Sequence, residues 1–157
     1  MRSASTTTRL KASIAVRTER LAAITLLFLT LAQQAVAAQW KEADYRNALC
    51  AGMEMEIRLA DGRGRADCES DTHIIEVEYA DKFKEGVGQA LVYATVSEKI
   101  PGLILVCRKS ESLCLTHSLA AQETFSAFGI EATVWECGAD ARALRDCTER
   151  TIEAHPL

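Results

Sequence analysis

RADCESDTHIIEVEYADKFKEGVGQALVYA, residues 65–94, decides how this chain folds. RADCE alternates, with Arg65, Asp67 and Glu69 on one side and Ala66 and Cys68 on the other. After the turn SDT, HIIEVEY puts Ile74, Glu76 and Glu78 on one face and Ile75, Val77 and Tyr79 on the opposite one. Beyond Asp81 the apolar spacing changes from two to between three and four. Phe83, Val87, Ala90, Leu91 and Ala94 form the apolar stripe of a helix expected from about Lys82 to Glu98, with Asp81 as its N-cap. Two strands joined by a turn therefore feed directly into a helix.

The flanking segments extend this unit in both directions. Upstream, MEMEIRLA (53–60) reads as a half-buried strand, with Met53, Met55, Ile57 and Leu59 on one side. Asp-Gly in the DGRG that follows is a hairpin signal leading back into RADCE. WKEADYRNALCAG (40–52) reads as a short helix closed by Gly52. Downstream, GLILVC (102–107) is a continuous apolar run, the pattern of a strand buried on both faces. THSLAAQETFSAF is expected to be a helix capped by Thr116 and stopped by Gly129. IEATVWE reads as another strand and ADARALRDCTERTIEA as a closing helix. Both prolines, Pro101 and Pro156, fall outside the expected element interiors. The order αβββαβαβα predicts a three-layer α/β (α+β) fold around a central mixed sheet.

Residues 1–38 are set apart from this domain. Arg2, Arg9, Lys11, Arg17 and Arg20 make a basic leader, LAAITLLFLTLA (21–32) an apolar run, and Ala37 or Ala38 a small-residue cleavage point. That is the layout of a secretory signal peptide, and the run is shorter than the roughly 20 residues a membrane-spanning helix needs. The expectation is a periplasmic or secreted protein with no membrane association after cleavage; the alternative is an inner-membrane anchor formed by residues 21–38. The domain of residues 39–157 then holds 119 residues, enough for one core. Taking the leader's five basic and one acidic residues from 18 and 22 leaves 13 and 21, a balance of −8. Such acidity argues against strong non-specific binding of nucleic acid, which relies on Lys and Arg to displace counterions. All six cysteines lie in this domain and none forms a C-x-x-C pair, so disulfides are expected rather than a zinc ribbon. Fifteen pairings are open; closeness in sequence favours Cys107–Cys114 and Cys137–Cys147, leaving Cys50–Cys68.

The carboxylates carry the chemistry. If RADCE and HIIEVEY pair, Asp67 and Glu76 converge, and Glu54 or Glu56 reaches in from the first strand. Convergent carboxylates suit a hard cation such as Mg²⁺ or Mn²⁺; without one they repel, and at least one carboxyl pKa rises. Lys82, Glu85, Gln89 and Tyr93 share one helix stripe beside that cluster, where Gln89 and Tyr93 are placed to orient a water or a phosphate oxygen.

A strand Asp, a downstream strand E-x-K and a helical Q-x-x-x-Y on an αβββαβ core resemble the PD-(D/E)XK nuclease superfamily, in its Q-x-x-x-Y form. The likeness spans Glu56 to Ala94 and extends to about Glu136, as in a divergent exported bacterial member. It implies Asp67 and Glu76 as metal ligands, Glu56 as the upstream acid, and Gln89 and Tyr93 as the helical pair. It further implies Mg²⁺- or Mn²⁺-dependent hydrolysis of DNA or RNA by a metal-activated water. Where that family carries lysine, this chain has Glu78, and Lys82 in the next helix is expected to supply the amine. Glu78 is alternatively a ligand for a second metal.

Other readings of the same residues stand beside this one. The domain is alternatively a catalytically inactive periplasmic binding or interaction module, or a disulfide-stabilised structural protein whose carboxylates are a solvated sheet face. His73, His117 and His155 have no partner spacing, and no serine near them completes a triad. Trp40 and Trp135 are expected in the core or at its rim. DGRGR is a turn rather than a phosphate cradle, since no helix follows it.

Overall fold

A computed structural model of the chain describes residues 40–60 and 62–156. The expected signal peptide and the alternative anchor lie outside the described residues. Within them no helix is long and apolar enough to cross a membrane. The elements follow in the order α1 (Glu42–Leu49), β1 (Glu54–Arg58), β2 (Arg65–Glu69), β3 (His73–Tyr79), α2 (Phe83–Ser97), β4 (Ile100–Cys107), α3 (Glu111–Ala127), β5 (Ala132–Gly138) and β6 (Thr148–Ile152). Short 3-10 turns occupy Ala80–Lys82 and Leu144–Asp146.

The six strands form one sheet in sequence order. β3, β4 and β5 are parallel, joined through α2 and α3, while β1, β2 and β6 pair antiparallel at the two sides. The class is the expected mixed α/β arrangement with helices on both faces of an open sheet. α1 covers one face through Tyr45 and Leu49, which pack with Ile75, Val77, Ile104, Val106, Trp135 and Cys137. α2 and α3 cover the other, where Val87, Ala121 and Phe125 meet Leu103, Leu105 and Val134. The run Leu103–Val106 is almost wholly inaccessible, as a strand covered on both faces should be.

Three disulfides join Cys50 to Cys68, Cys107 to Cys114 and Cys137 to Cys147, the pairing that closeness favoured. They tie α1 to β2, β4 to α3, and β5 to the segment before β6. Such bonds persist in oxidising compartments, which fits an extracellular-type protein.

The structure corrects the sequence reading at several points. The closing helix expected over ADARALRDCTERTIEA is a 3-10 turn followed by β6, so the last element among the described residues is a sixth strand. Two contacts decide this. The Cys137–Cys147 bond holds the segment beside β5, and Asp146 accepts the N–H groups of Arg142 and Ala143, closing a tight turn in place of a helix. Thr148–Ile152 then covers an edge that β5 would otherwise expose. α3 starts after Ser110 rather than at Thr116, whose hydroxyl donates back to the Ser112 carbonyl at 2.9 Å. Asp81 does not cap α2; it lies in the 3-10 turn and takes the Lys109 ammonium at 2.8 Å. Pro101 is inside β4, at its second residue, where a missing N–H removes little of the ladder.

Candidate functional site

The strict alternation expected of β1 and β2 also fails, and the failure makes the site. Met53 packs in the α1-side core, whereas Ile57 and Leu59 pack with Ala66, Ile74 and Tyr93. In β2, Cys68 joins the α1-side core while Ala66 joins that other cluster. The change of face falls at Glu56, whose φ of +59° is left-handed, and at Asp67 opposite it, between the pairs Met55↔Cys68 and Ile57↔Ala66. β2 and β3 pair only at Cys68↔Ile75 and Glu69↔Ile74. Beyond them the strands part. In place of a ladder carbonyl, the Asp67 carboxylate accepts the Val77 N–H on Oδ2 at 2.9 Å.

Glu76 and Glu78 sit in the opening of this fork, on the face beneath α2. The helix approaches β3 closely because Gly86 has no side chain: a Cβ there would lie 2.7 Å from Leu103 Cδ1 and 3.3 Å from Glu78 Cβ. Both glutamates are consequently buried, at 7 % and 6 % exposure. Glu78 accepts the Tyr79 N–H at 2.8 Å and lies 3.6 Å from Lys82 Nζ. Burial raises its pKa, the Tyr79 N–H opposes that, and Glu42 adds to it. Glu76 is less well served. Its Oε2 is buried with no hydrogen-bond partner. Burial, followed by the charges of Asp67, Glu78 and Glu42, pushes its pKa up to about 9 against a slight pull from Arg46. Burial also raises Asp67, although the Val77 N–H and Arg46 hold it back.

α1 supplies two groups that the sequence did not flag. Glu42 is close enough to Asp67, Glu76 and Glu78 to raise all three. Arg46, one helical turn further on, places Nη1 3.3 Å from Asp67 Oδ1 and Nη2 2.8 Å from Glu56 Oε1. Their i,i+4 spacing in EADYRNAL puts them on one side of the helix, but nothing local says that this side faces the strand fork.

The expected residues take different places around this centre. Asp67, Glu76 and Glu78 are brought together. Glu56 is turned outward, with one oxygen on Arg46 and the other 2.6 Å from Arg65 Nη1. Lys82 stays with Glu78 and, at 4.0 Å, Glu85; Glu78 foremost raises its pKa, so it acts as a fixed cation rather than a base. Gln89 Nε2 lies 3.5 Å from the Tyr93 hydroxyl. Tyr93 is buried, and its phenol pKa is raised by burial and then by Glu76, with a smaller contribution from Asp67. Gly64 packs against that ring, where a Cβ would stand 3.2 Å from Cε1. Two of the histidines are occupied elsewhere: His73 bridges Thr72 and Thr133, and His117 stacks on Phe83.

Among the described residues, the group of three potential metal donors within 4.8 Å of one another is Cys107, Cys114 and Glu136. Its two sulfurs are bonded to each other and offer no thiolate, so it is not a metal centre. Among the described residues, no three of the fork carboxylates form such a group. The unpartnered Glu76 oxygen is the polar atom of the fork that the protein itself leaves unsatisfied. No protein-family model, curated protein or solved structure matches this chain.

Proposed function

We propose that the strand fork is a divalent-cation site and that the chain is a divergent PD-(D/E)XK-like phosphodiesterase acting on DNA or RNA. The observation that supports this is the buried, unpartnered Oε2 of Glu76, held next to Asp67 at the point where β2 and β3 part. Four acids, Glu42, Asp67, Glu76 and Glu78, lie near one another with two cations, Arg46 beside Asp67 and Lys82 beside Glu78, and Glu76 has neither, an arrangement that costs stability unless it serves binding. A bound Mg²⁺ or Mn²⁺ supplies a water of lowered pKa and neutralises charge on a phosphoryl oxygen. Asp67 and Glu76 are its protein ligands. Asp67 is fixed in place by the Val77 N–H. Glu78 keeps Lys82 nearby as a permanent positive charge. Tyr93 and Gln89 provide a hydroxyl and an amide to orient a substrate oxygen or water.

Calorimetric titration with Mn²⁺, paired with a cleavage assay in Mg²⁺, tests this reading. Wild-type protein binds Mn²⁺ and cleaves in an EDTA-sensitive manner, and Asp67→Ala loses both. Protein that binds neither ion refutes the site.

A second reading has its own observation. Arg46 already neutralises Asp67, and Lys82 is engaged by Glu78 and Glu85 rather than by Asp67 or Glu76. A non-catalytic binding or interaction module on the same fold needs no more than that. It predicts no cleavage with either ion and unchanged behaviour in Asp67→Ala.

A further inference from the structure

The Cys107–Cys114 disulfide has a setting that the other two lack. Cys107 ends β4 and Cys114 lies in the first turn of α3, across the exposed loop 108–110. Cys50, Cys68 and Cys137 are wholly inaccessible in the α1-side core, and Cys147 packs against it. Cys107 is half-buried instead, and with Cys114 it lines an open cleft at the carboxyl ends of β4 and β5. Such strand ends are where open α/β sheets present their ligand sites.

Glu136 of β5 joins the pair there, with one of its oxygens and the two sulfurs all within 4.8 Å of one another. Two neighbours fix this carboxylate. Arg150 of β6 places Nη1 3.2 Å from Glu136 Oε2 and 3.1 Å from Oγ of the fully buried Ser118 in α3. Among the described residues, neither of the other disulfides has a third donor placed in this way. Bonded to each other the sulfurs offer no thiolate, and reduction removes that bar.

The reduced group suits one class of ion. Two thiolates and a carboxylate stack three negative charges, which Zn²⁺ and Arg150 together balance. Two sulfurs and one oxygen form the donor set of a three-ligand zinc site that keeps a water in its fourth position. Zinc bonds of about 2.0–2.3 Å put tetrahedral ligands roughly 3.5–3.8 Å apart. Donors already within 4.8 Å reach that spacing by small side-chain rotations, the sulfurs parting and the carboxylate closing in. The partial positive charge at the start of α3 favours Cys114 as an anion.

We propose that Cys107, Cys114 and Glu136 form a zinc site when the Cys107–Cys114 bond is reduced, so that the disulfide and the bound ion are alternative states of one centre. A dithiol passes two electrons and two protons to the sulfurs and closes its own disulfide. Zn²⁺ then displaces both protons, and the sulfurs ligate as thiolates. A disulfide oxidant reverses the sequence: it takes the two electrons, with two protons from solvent, and the ion leaves. Before oxidation, such an ion keeps Cys107 and Cys114 out of wrong pairings with the other cysteines. The centre uses none of the acids at the strand fork and does not rest on the phosphodiesterase reading.

The oxidised chain is treated with a water-soluble phosphine under native conditions until one disulfide has opened, and alkylation with peptide mass identifies the pair. After the phosphine is removed, Co²⁺ is added as a spectroscopic probe and Zn²⁺ as its competitor. Cys107 and Cys114 are expected to carry the label, and Co²⁺ to give a thiolate-to-metal charge-transfer absorption that Zn²⁺ abolishes. Zn²⁺ also shields both sulfurs from alkylation. Glu136→Gln weakens Zn²⁺ binding by about tenfold or more, the lower end of what loss of a group supporting a zinc ligand costs. Asp67→Ala, which removes a fork carboxylate, leaves the absorption unchanged. Cys107→Ser combined with Cys114→Ser keeps the other two disulfides and gives no absorption. If that double variant does not fold, shielding of the two sulfurs in the wild type decides alone. A different pair opening first overturns the proposal, as does loss of circular dichroism when this pair opens. An absorption missing from the reduced chain, or present in the folded double variant, overturns it too. Glu136→Gln that binds Zn²⁺ as tightly as wild type overturns the three-ligand site.

Discussion

Replacing Glu76 by glutamine separates the electrostatics of the fork from its packing. The amide has the shape of a protonated carboxyl but cannot ionise. In the folded protein burial and three neighbouring acids hold the Glu76 pKa near 9, against an ordinary 4.5. A carboxyl raised on folding gives stability that is complete below the unfolded pKa and is lost as pH rises through the folded one. Each tenfold change in proton affinity is worth about 1.4 kcal/mol. Between about pH 5 and about pH 8, both inside that window, Glu76 alone therefore removes about 4 kcal/mol of stability from the wild type. Raised pKa values at Asp67 and Glu78 act in the same direction in both proteins. Urea unfolding at the two pH values, in EDTA and without reductant, should show Glu76→Gln close to wild type at the lower pH. At the higher pH it should be more stable by about 3–4 kcal/mol. Adding Mn²⁺ should flatten the pH dependence of the wild type, because the cation replaces the proton, and should leave Glu76→Gln unchanged. Parallel pH profiles for the two proteins, with no response to Mn²⁺ in either, would refute both the burial argument and the metal site.

Other substitutions probe the same architecture. Arg46→Met removes the cation that now neutralises Asp67; unfolding in EDTA should cost about 1–3 kcal/mol, while Mn²⁺ binds several-fold more tightly by calorimetry. Gly86→Ala should lower stability by about 1–3 kcal/mol because its methyl meets Leu103 at 2.7 Å, whereas Gly88→Ala should raise it by about 0.5–1 kcal/mol. Thermal melts of the two variants decide between these opposite signs. Replacing Cys50 and Cys68 together by alanine should cost about 3 kcal/mol, the chain-entropy value for a loop near their separation of 18. That loss should be absent when wild type and variant are compared under reducing denaturation.

Much of the fold was legible because its signals are local. The alternation of HIIEVEY, the uninterrupted GLILVC and the stripe from Phe83 to Ala94 each fix an element through side-chain period alone. Cysteine spacing left fifteen pairings open but favoured the one observed, since short loops close most readily. The last segment was misread because ADARALRDCTERTIEA carries a helical spacing that long-range contacts override. A disulfide to β5 and an open strand edge outweigh a few tenths of a kcal/mol per residue in propensity.

The site divides along the same line. Sequence by itself determined that Asp67, Glu76 and Glu78 lie on neighbouring strands, and that Gln89 and Tyr93 lie one helical turn apart. Tertiary structure alone decided which acids are buried together, because that depends on where β2 and β3 separate and on how closely α2 can approach β3 at Gly86. It also moved Glu56 out to Arg65 and brought Glu42 and Arg46 in from a helix whose sequence carries no hint of the fork. Strand period fixes the face on which a carboxylate points; only packing fixes its neighbours and its exposure to water, and those set its charge.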